Sequence, residues 1–208
     1  MKGLFITFEG GEGAGKTTLI EGIKQNVSSS FEVVQTREPG GTKLGEKIRE
    51  LLLVPQDVSV ASRAELALFL ASRAQNIQEC ILPALKAGKM VLCDRFNDSS
   101  YAYQGIGRDL GLEEVQRVAN FFCQDLVPDL TFYLDLDPNV GFKRVNSRSL
   151  DRIESEKITF HQKVREAYHL LAKQEPNRLH ILNANQSPED VLSAAMQHIN
   201  KHLKTHKS

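Results

Sequence analysis

The sequence predicts a three-layer α/β/α fold built around a five-stranded parallel sheet. Short apolar runs alternate with longer stretches of helical periodicity, and strands joined by helices form parallel sheets that are covered on both faces. A glycine-rich segment directly follows the first run, as expected where a strand leads into a helix through a tight turn. The predicted strands are residues 4–8, 32–35, 89–93, 130–134 and 179–182.

Helix boundaries are marked by residues with known preferences for helix ends. In the helix predicted over residues 62–87, Ser62 and Glu65 match a capping box. Gly88 stands where the end of that helix needs a left-handed residue. Ser187, followed by a proline and two acids, is typical of a helix start.

The composition is that of an ordinary globular domain, with 41% hydrophobic and 25% charged residues. Because no repeat or linker divides the chain, we predict one domain over residues 1–208.

Twenty-six basic and 26 acidic residues give a net charge of +0, which argues against a nucleic-acid partner. Three cysteines without a C-x-x-C motif indicate reduced thiols and a cytoplasmic location. No apolar run approaches the ~20 residues of a membrane span, so we expect no membrane partner.

The strongest motif is a phosphate-binding loop. Residues 10–17 match G-x-x-x-x-G-K-[ST] in full, between a predicted strand and a predicted helix. Backbone N–H groups of such a loop and the positive end of the helix hold phosphate oxygens, which predicts a P-loop NTPase fold. A glycine-rich turn that binds nothing is the alternative, and the strand–loop–helix context argues against it. The predicted nucleotide-binding residues are Gly10, Gly11, Glu12, Gly13, Ala14, Gly15, Lys16, Thr17 and Thr18.

Two charged residues follow the third predicted strand and should meet this loop at the carboxyl edge of the sheet. Asp94 is placed to contact a nucleotide-bound Mg²⁺ together with the Thr17 hydroxyl, and a turn or N-cap aspartate is the alternative. Arg95 could bind a phosphate through its guanidinium, and a structural ion pair is the alternative.

Two further groups could recognise a planar heterocycle. Phe69 and Arg73 lie one turn apart on a predicted helix, where a ring could stack on a base and a guanidinium could bond to its edge. Residues 99–105 add hydroxyls, phenols and the Gln104 amide, which offers both a donor and an acceptor. On residue type alone, a core phenylalanine and a solvated arginine explain the pair better, and a polar turn explains the cluster equally well.

A basic stretch from Arg144 to Arg152 is predicted to form a short lid at about residues 143–154. Closing an arginine over phosphates would neutralise transition-state charge and expel water, and a solvated helix face is the alternative. Three histidines near the C-terminus are interpreted as surface residues: His198, His202 and His206.

Together and in this order, the motifs resemble the bacterial type of the thymidylate kinase family. The Arg-Glu-Pro-Gly-Gly-Thr run at residues 37–42 and the Ala-Tyr-Gln-Gly run at residues 102–105 carry the resemblance, whereas the phosphate loop is shared by many families. The resemblance extends from residue 8 to residue 168. It implies transfer of the γ-phosphoryl group of ATP to dTMP with Mg²⁺, giving dTDP, in a homodimeric enzyme.

The resemblance also implies residue roles. Phe69 would stack on thymine, Arg73 and Gln104 would contact its edge, and Tyr103 would lie against the deoxyribose. The implied substrate-binding residues are Glu9, Arg37, Pro39, Arg49, Phe69, Arg73, Arg95, Ser100, Tyr103 and Gln104. The predicted catalytic residues are Lys16, Arg95, Arg148, Arg152, Glu9 and Asp94, and the predicted metal ligands are Thr17 and Asp94.

The lid departs from the family pattern Arg-Gly-x-x-Asp-Arg, because residues 147–152 lack the glycine and carry its arginine one position away. We predict Arg148 as the first candidate to contact the ATP phosphates and Arg152 as the second. Asp151 and Glu154 are candidate structural ion-pair partners of Arg152. The alternative functions are a deoxynucleoside kinase, a kinase for another nucleoside monophosphate, and a nucleotide-binding switch without phosphotransfer.

Overall fold

The computed structural model describes residues 3–54, 59–145 and 150–205, and it confirms the predicted five-stranded parallel sheet. The strands lie in the order β2-β3-β1-β4-β5, and every neighbouring pair is parallel. Their bounds are β1 (Leu4–Gly10), β2 (Val33–Arg37), β3 (Met90–Asp94), β4 (Leu130–Asp135) and β5 (Leu179–Asn183).

Helices cover both faces of this sheet and complete the three layers. Ile6 and Phe8 of β1 pack in one cluster with residues of the first and last helices, whereas Phe5 packs with the opposite layer. The helices are α1 (Lys16–Val27), α2 (Lys43–Leu53), α3 (Ser62–Asn76), α4 (Leu82–Lys86), α5 (Asn97–Ser100), α6 (Leu112–Cys123), α7 (Pro138–Arg144), α8 (Ile158–Gln174) and α9 (Pro188–Thr205), with π-helical segments at Ile77–Ile81 and Tyr101–Gly107.

The carboxyl ends of β1, β2 and β3 meet at one edge of the sheet. Asp94 at the end of β3 pairs in register with Phe8 of β1 on one side and with Arg37 of β2 on the other. The phosphate loop starts two residues beyond Phe8, at the last residue of β1. The parallel topology therefore places the loop and the segments after β2 and β3 around a common space.

Two of the three predicted helix ends are confirmed and one is wrong. Gly88 has φ +76°, and the Ser187 hydroxyl accepts a hydrogen bond from the Asp190 N–H at 3.1 Å. The capping box is wrong, because Ala61 precedes the first helical residue and no side chain caps α3. Glu65 is instead buried and bonded to distant side chains, and that tertiary contact replaces the local cap.

His198, interpreted as a surface residue, is half-buried. Its ring stacks on His180 of β5, with centroids 4.0 Å apart, and lies 6.2 Å from Phe132 of β4. His206 lies outside the described residues. Within the described ranges, no helix is both long enough and apolar enough to cross a membrane.

Candidate active site

The phosphate loop between β1 and α1 is packed against α7. Gly13 has φ +68°, and a Cβ at this position would lie 2.4 Å from the carbonyl oxygen of Gly141. Arg144 donates to the carbonyl oxygens of Gly13 at 3.3 Å and of Ala184 at 3.1 Å. The loop is thus held in its curled shape by backbone packing and by one arginine.

Lys16 carries the positive charge of this loop. Its Nζ donates to the carbonyl oxygens of Gly10 at 3.3 Å and Gly11 at 3.5 Å. Burial lowers the pKa of Lys16, and the nearby Arg95 lowers it further. Both effects would be relieved by an anion, so this ammonium group is suited to bind phosphate oxygens.

Glu9 lies beneath the loop and organises the segment after β3. It is fully buried and accepts hydrogen bonds from the Phe96 N–H at 2.8 Å, the Ser99 hydroxyl at 2.5 Å and the Tyr168 hydroxyl at 2.7 Å. Burial raises the pKa of Glu9 to about 7, with a contribution from Asp98. The predicted acidic residue therefore shapes the site from behind.

Asp94 and Arg95 stand at the tip of β3 as predicted. The Oδ1 atom of Asp94 is buried and has no hydrogen-bond partner among the described residues. Arg95 adopts φ +71° and places its guanidinium 5.2 Å from the ring centroid of Tyr103. Its Nη1 donates to the Ser99 hydroxyl at 3.3 Å. Asp94 and Arg95 line the same cavity as Lys16 of the phosphate loop.

Arg73 lies behind the cavity wall in a dense polar network. Its side chain is 1% exposed, and Nε donates to Glu38 at 2.6 Å. The two terminal nitrogens donate to the Ser100 hydroxyl at 2.9 Å and the Phe96 carbonyl oxygen at 3.0 Å. Arg73 therefore supports Ser100 in the wall, while Phe69 of the same helix lines the cavity itself. The contact of Arg73 with a base stays a prediction.

Arg37, Pro39 and Arg49 form the side of the cavity contributed by β2 and α2. Arg37 is exposed and pairs with Glu46 at 2.9 Å. Arg49 donates to the Pro39 carbonyl oxygen at 2.9 Å. Burial lowers the pKa of Arg49, and Arg37 adds to this effect. Two arginines with a positive neighbour in Arg95 make this side a site for an anion.

Arg152 is bound to the body of the protein. Its Nε donates to the Leu52 carbonyl oxygen at 2.7 Å, and its guanidinium pairs with Glu65 at 2.8 Å. The expectation of Asp151 and Glu154 as its partners is wrong, because the carboxylate that pairs with Arg152 is Glu65. Asp151 accepts hydrogen bonds from the backbone N–H groups of Ile153 and Glu154. Arg148 lies outside the described residues, and its role stays a prediction.

A cavity of about 640 Å³ brings most of the predicted residues together. Glu9 and Arg73 stand directly behind its lining. The predicted residues that line it are Glu12, Lys16, Thr17, Arg37, Pro39, Arg49, Phe69, Asp94, Arg95, Ser100, Tyr103 and Gln104.

Several residues of the site were missed by sequence reasoning. Glu38 and Glu65 hold Arg73 and Gln104 from behind, and Tyr168 holds Glu9. His161 lines the cavity from α8. Only Glu38 had a local signal, since it lies within the run at residues 37–42; the others act through contacts that no sequence spacing shows.

Comparisons with known proteins agree with this geometry. The family model described as thymidylate kinase matches residues 8–195. The chain is 51% identical to a thymidylate kinase of Protochlamydia amoebophila over 206 residues, covering 94% of this chain and 92% of the relative. It is 46% identical to a thymidylate kinase of Shouchella clausii, covering 97% of each chain.

A solved structure shows the same likeness. The crystal structure of thymidylate kinase from Ehrlichia chaffeensis superposes with a TM-score of 0.79 at 32% identity, covering 96% of this chain and 100% of that chain. The family model begins within β1 and ends within α9, and the two relatives match over 94% and 97% of this chain. The chain therefore belongs to the thymidylate kinase family.

Proposed function

We propose that this cavity transfers the γ-phosphoryl group of ATP to the phosphate of dTMP, which gives dTDP and ADP. One observation carries the proposal: a single cavity is lined by the loop lysine Lys16, by the three arginines Arg37, Arg49 and Arg95, and by the ring of Phe69. Family membership supplies the identity of the two nucleotides. The alternatives of a nucleoside kinase and of a switch account less well for the arginine-rich side.

The reaction requires alignment and charge neutralisation. A phosphate oxygen of dTMP attacks the γ-phosphorus of ATP, and the bond to the oxygen that bridges the β- and γ-phosphates breaks. Arg95, Arg37 and Arg49 hold the acceptor phosphate, whose charge would otherwise repel ATP. Lys16 stabilises charge on the transferred group, and closure of the site excludes water that could hydrolyse ATP.

The residues also fit a Mg²⁺ ion. Asp94 offers a buried Oδ1 atom without a hydrogen-bond partner among the described residues, and Thr17 offers a hydroxyl on the same cavity. The described residues contain no group of three or more histidine, cysteine or acidic side chains that could enclose a metal. This donor set suits an ion held largely by nucleotide phosphates, where Mg²⁺ would neutralise phosphate charge.

The lid prediction becomes a comparison of two arginines. The contacts of Arg152 with Leu52 and Glu65 support a positioning role for it. We expect Arg148→Ala to lower kcat by several orders of magnitude with little change in the Kd of dTMP, and Arg152→Ala to act more mildly. Single-turnover rates and equilibrium binding on both variants decide between them, and a more severe loss in Arg152→Ala would reverse the assignment.

An ADP-release assay across the common nucleoside monophosphates tests the proposed function. ADP formation should require dTMP, and thymidine should not replace it, because only dTMP brings a phosphate to the arginine-rich side. ADP release that is independent of dTMP, or equal rates with thymidine, would contradict the proposal. The cytoplasmic location stays a prediction.

We also propose that the enzyme is a homodimer formed through α2, α3 and α6. In the described chain α3 packs against both α2 and α6, and each presents apolar groups to solvent. Phe121 of α6 is 82% exposed, which is unusual for a phenylalanine. The exposed apolar residues of the three helices are Leu44, Leu51, Ala64, Ala67, Ala71 and Phe121.

Sedimentation velocity tests the homodimer. The wild-type protein should sediment as a dimer, and Ala67→Arg should make it monomeric, because a buried unpaired charge at the centre of the interface opposes association. Leu170→Arg is the matched control, since Leu170 is exposed and apolar but lies on α8. A wild-type monomer at micromolar concentrations would contradict the proposal.

A further inference from the structure

Glu65 stands where three parts of the site meet. Its buried carboxylate accepts a hydrogen bond from Gln104 Nε2 at 2.8 Å and bonds from Arg108 at 3.1 and 3.2 Å. Arg152, from the segment after the predicted lid arginine, pairs with it at 2.8 Å. Burial would raise the pKa of Glu65, but the hydrogen bonds from Arg108 and Gln104 outweigh it and hold the pKa below its ordinary value. The carboxyl group is therefore an ionised acceptor.

This contact fixes which way the Gln104 amide faces. A primary amide carries a donor at one end and an acceptor at the other, and the two ends are assigned from their partners. Because an ionised carboxylate can only accept, Gln104 must turn its Nε2 toward Glu65. The carbonyl oxygen, Oε1, is then the end available to a ligand, and Gln104 lines the main cavity beside Ser100 and Tyr103.

We propose that Glu65 is a positioning residue that sets the base preference of the enzyme through Gln104. The inference rests on the proposed function, in which Gln104 contacts the edge of the thymine ring. The carbonyl oxygen of Gln104 accepts a hydrogen bond from a ring N–H, which thymine has at N3. Cytosine has an unprotonated N3, so two acceptors would face each other, and a buried polar pair without a proton between them is strongly disfavoured.

The network around Glu65 keeps the Gln104 amide from rotating, so that its Nε2 stays toward Glu65. A free amide can rotate by a half-turn and present its NH₂ group to cytosine N3. Here Arg108 contacts both carboxylate oxygens, and it is itself bonded to Glu156 at 2.5 Å. The carboxylate is therefore fixed independently of the ligand, and the preference is built into the protein before a nucleotide binds.

Steady-state kinetics with dTMP and dCMP on Glu65→Gln test the proposal. The new amide can donate as well as accept, so it no longer dictates the orientation of Gln104. We expect kcat/KM for dTMP to fall about tenfold while the value for dCMP stays or rises. A loss of packing alone would lower kcat/KM for both nucleotides. The ratio of the two values therefore distinguishes a residue that orients Gln104 from one that only stabilises the fold.

Glu156→Gln is the matched control. It removes the other carboxylate partner of Arg108 and leaves the contact between Glu65 and Gln104 in place. We expect an unchanged ratio between dTMP and dCMP in this variant. If the ratio of kcat/KM for dTMP to kcat/KM for dCMP falls as much in Glu156→Gln as in Glu65→Gln, the proposal is overturned. An equal loss of kcat/KM for both nucleotides in Glu65→Gln would also overturn it.

A double variant tests the pair directly. Gln104→Glu alone places two carboxylates together and should lower dTMP activity. Combined with Glu65→Gln, the charge moves to position 104, where an acceptor again faces the ligand, and part of the preference for dTMP should return. No recovery relative to Gln104→Glu would overturn the proposal.

Circular dichroism establishes that each variant is folded at the assay temperature. If Glu65→Gln is not folded, Glu65→Asp takes its place, because it retains the charge but shortens the side chain by one methylene. The ratio of kcat/KM for dTMP to kcat/KM for dCMP should then fall. An unchanged ratio would overturn the proposal. Gln104→Ala separates the two levels of inference. A folded Gln104→Ala enzyme with an unaltered preference would mean that Gln104 does not contact the base, which refutes that part of the proposed function itself.

Discussion

Two sides of the cavity are built by different means: the side proposed to bind phosphates, with Lys16 and its loop (the phosphate side), and the side proposed to bind the base, with Arg73 and Gln104 (the base side). On the phosphate side, a short loop supplies backbone groups, and Lys16 rests on carbonyl oxygens of that same loop. On the base side, Arg73 and Gln104 are each tied to a buried carboxylate from another part of the chain. A phosphate presents negative charge in every direction, whereas a base edge requires donors and acceptors of fixed orientation. Fixing the orientation of base-binding groups therefore requires additional buried hydrogen-bond partners.

The largest effect should come from breaking the base-side network at Arg73. Arg73→Ala leaves Glu38 buried without its guanidinium partner, so we expect a loss of about 3–5 kcal/mol in the free energy of unfolding. Chemical denaturation measures this loss. Arg37→Ala is the control, because its pair with Glu46 is exposed and should contribute at most about 1 kcal/mol. Equal free energies of unfolding for Arg73→Ala and Arg37→Ala would show that the buried pair on the base side contributes no more stability than the exposed pair.

The phosphate side should respond in rate and not in stability. Lys16→Ala should lower kcat at least a hundredfold, about 3 kcal/mol of transition-state stabilisation, because it removes the charge that meets the transferred group. Its melting temperature should stay close to that of the wild type, since little core volume is lost. Turnover near the wild-type rate with MgATP would show that the loop does not act on the phosphates.

Glu9 connects the two sides and predicts a pH dependence. The pKa of Glu9 is raised from 4.5 to about 7, mainly by burial, so the folded chain retains a proton that the unfolded chain releases. The free energy of unfolding should therefore fall as pH rises from about 4.5 to 7, by up to roughly 3 kcal/mol. Glu9→Gln should flatten this decline. Urea denaturation at several pH values measures both slopes, and parallel profiles would refute the assignment.

The smallest effect should be confined to one ligand. Phe69→Ala removes the half-buried ring that lines the cavity and should weaken dTMP binding by roughly 1–3 kcal/mol, with ATP binding unchanged. Calorimetric titration of each nucleotide separately measures the difference. An equal loss for both nucleotides would mean that Phe69 is an ordinary packing residue and that the two sides are not independent.

Local patterns predicted the phosphate side better than the base side. The five strands and the loop followed from apolar runs and a contiguous motif, because backbone recognition is encoded in consecutive residues. The interpretation of Glu65 as a helix cap failed, since its partners come from residues 104, 108 and 152. The expected ion-pair partners of Arg152 were wrong for the same reason, because its carboxylate partner, Glu65, lies far away in the chain on α3 and not beside it.

By itself, the sequence determined the order of strands and helices along the chain, the phosphate loop and the residue types available at the edge of the sheet. Those features depend on apolar periodicity and on motifs within a few residues. The tertiary structure alone decided which charges became partners, that Arg73 donates to Ser100 behind the cavity wall, and that the Gln104 Nε2 donates to Glu65. The reason is physical: a buried charge must find its counter-charge in space, and folding brings those groups together from distant positions.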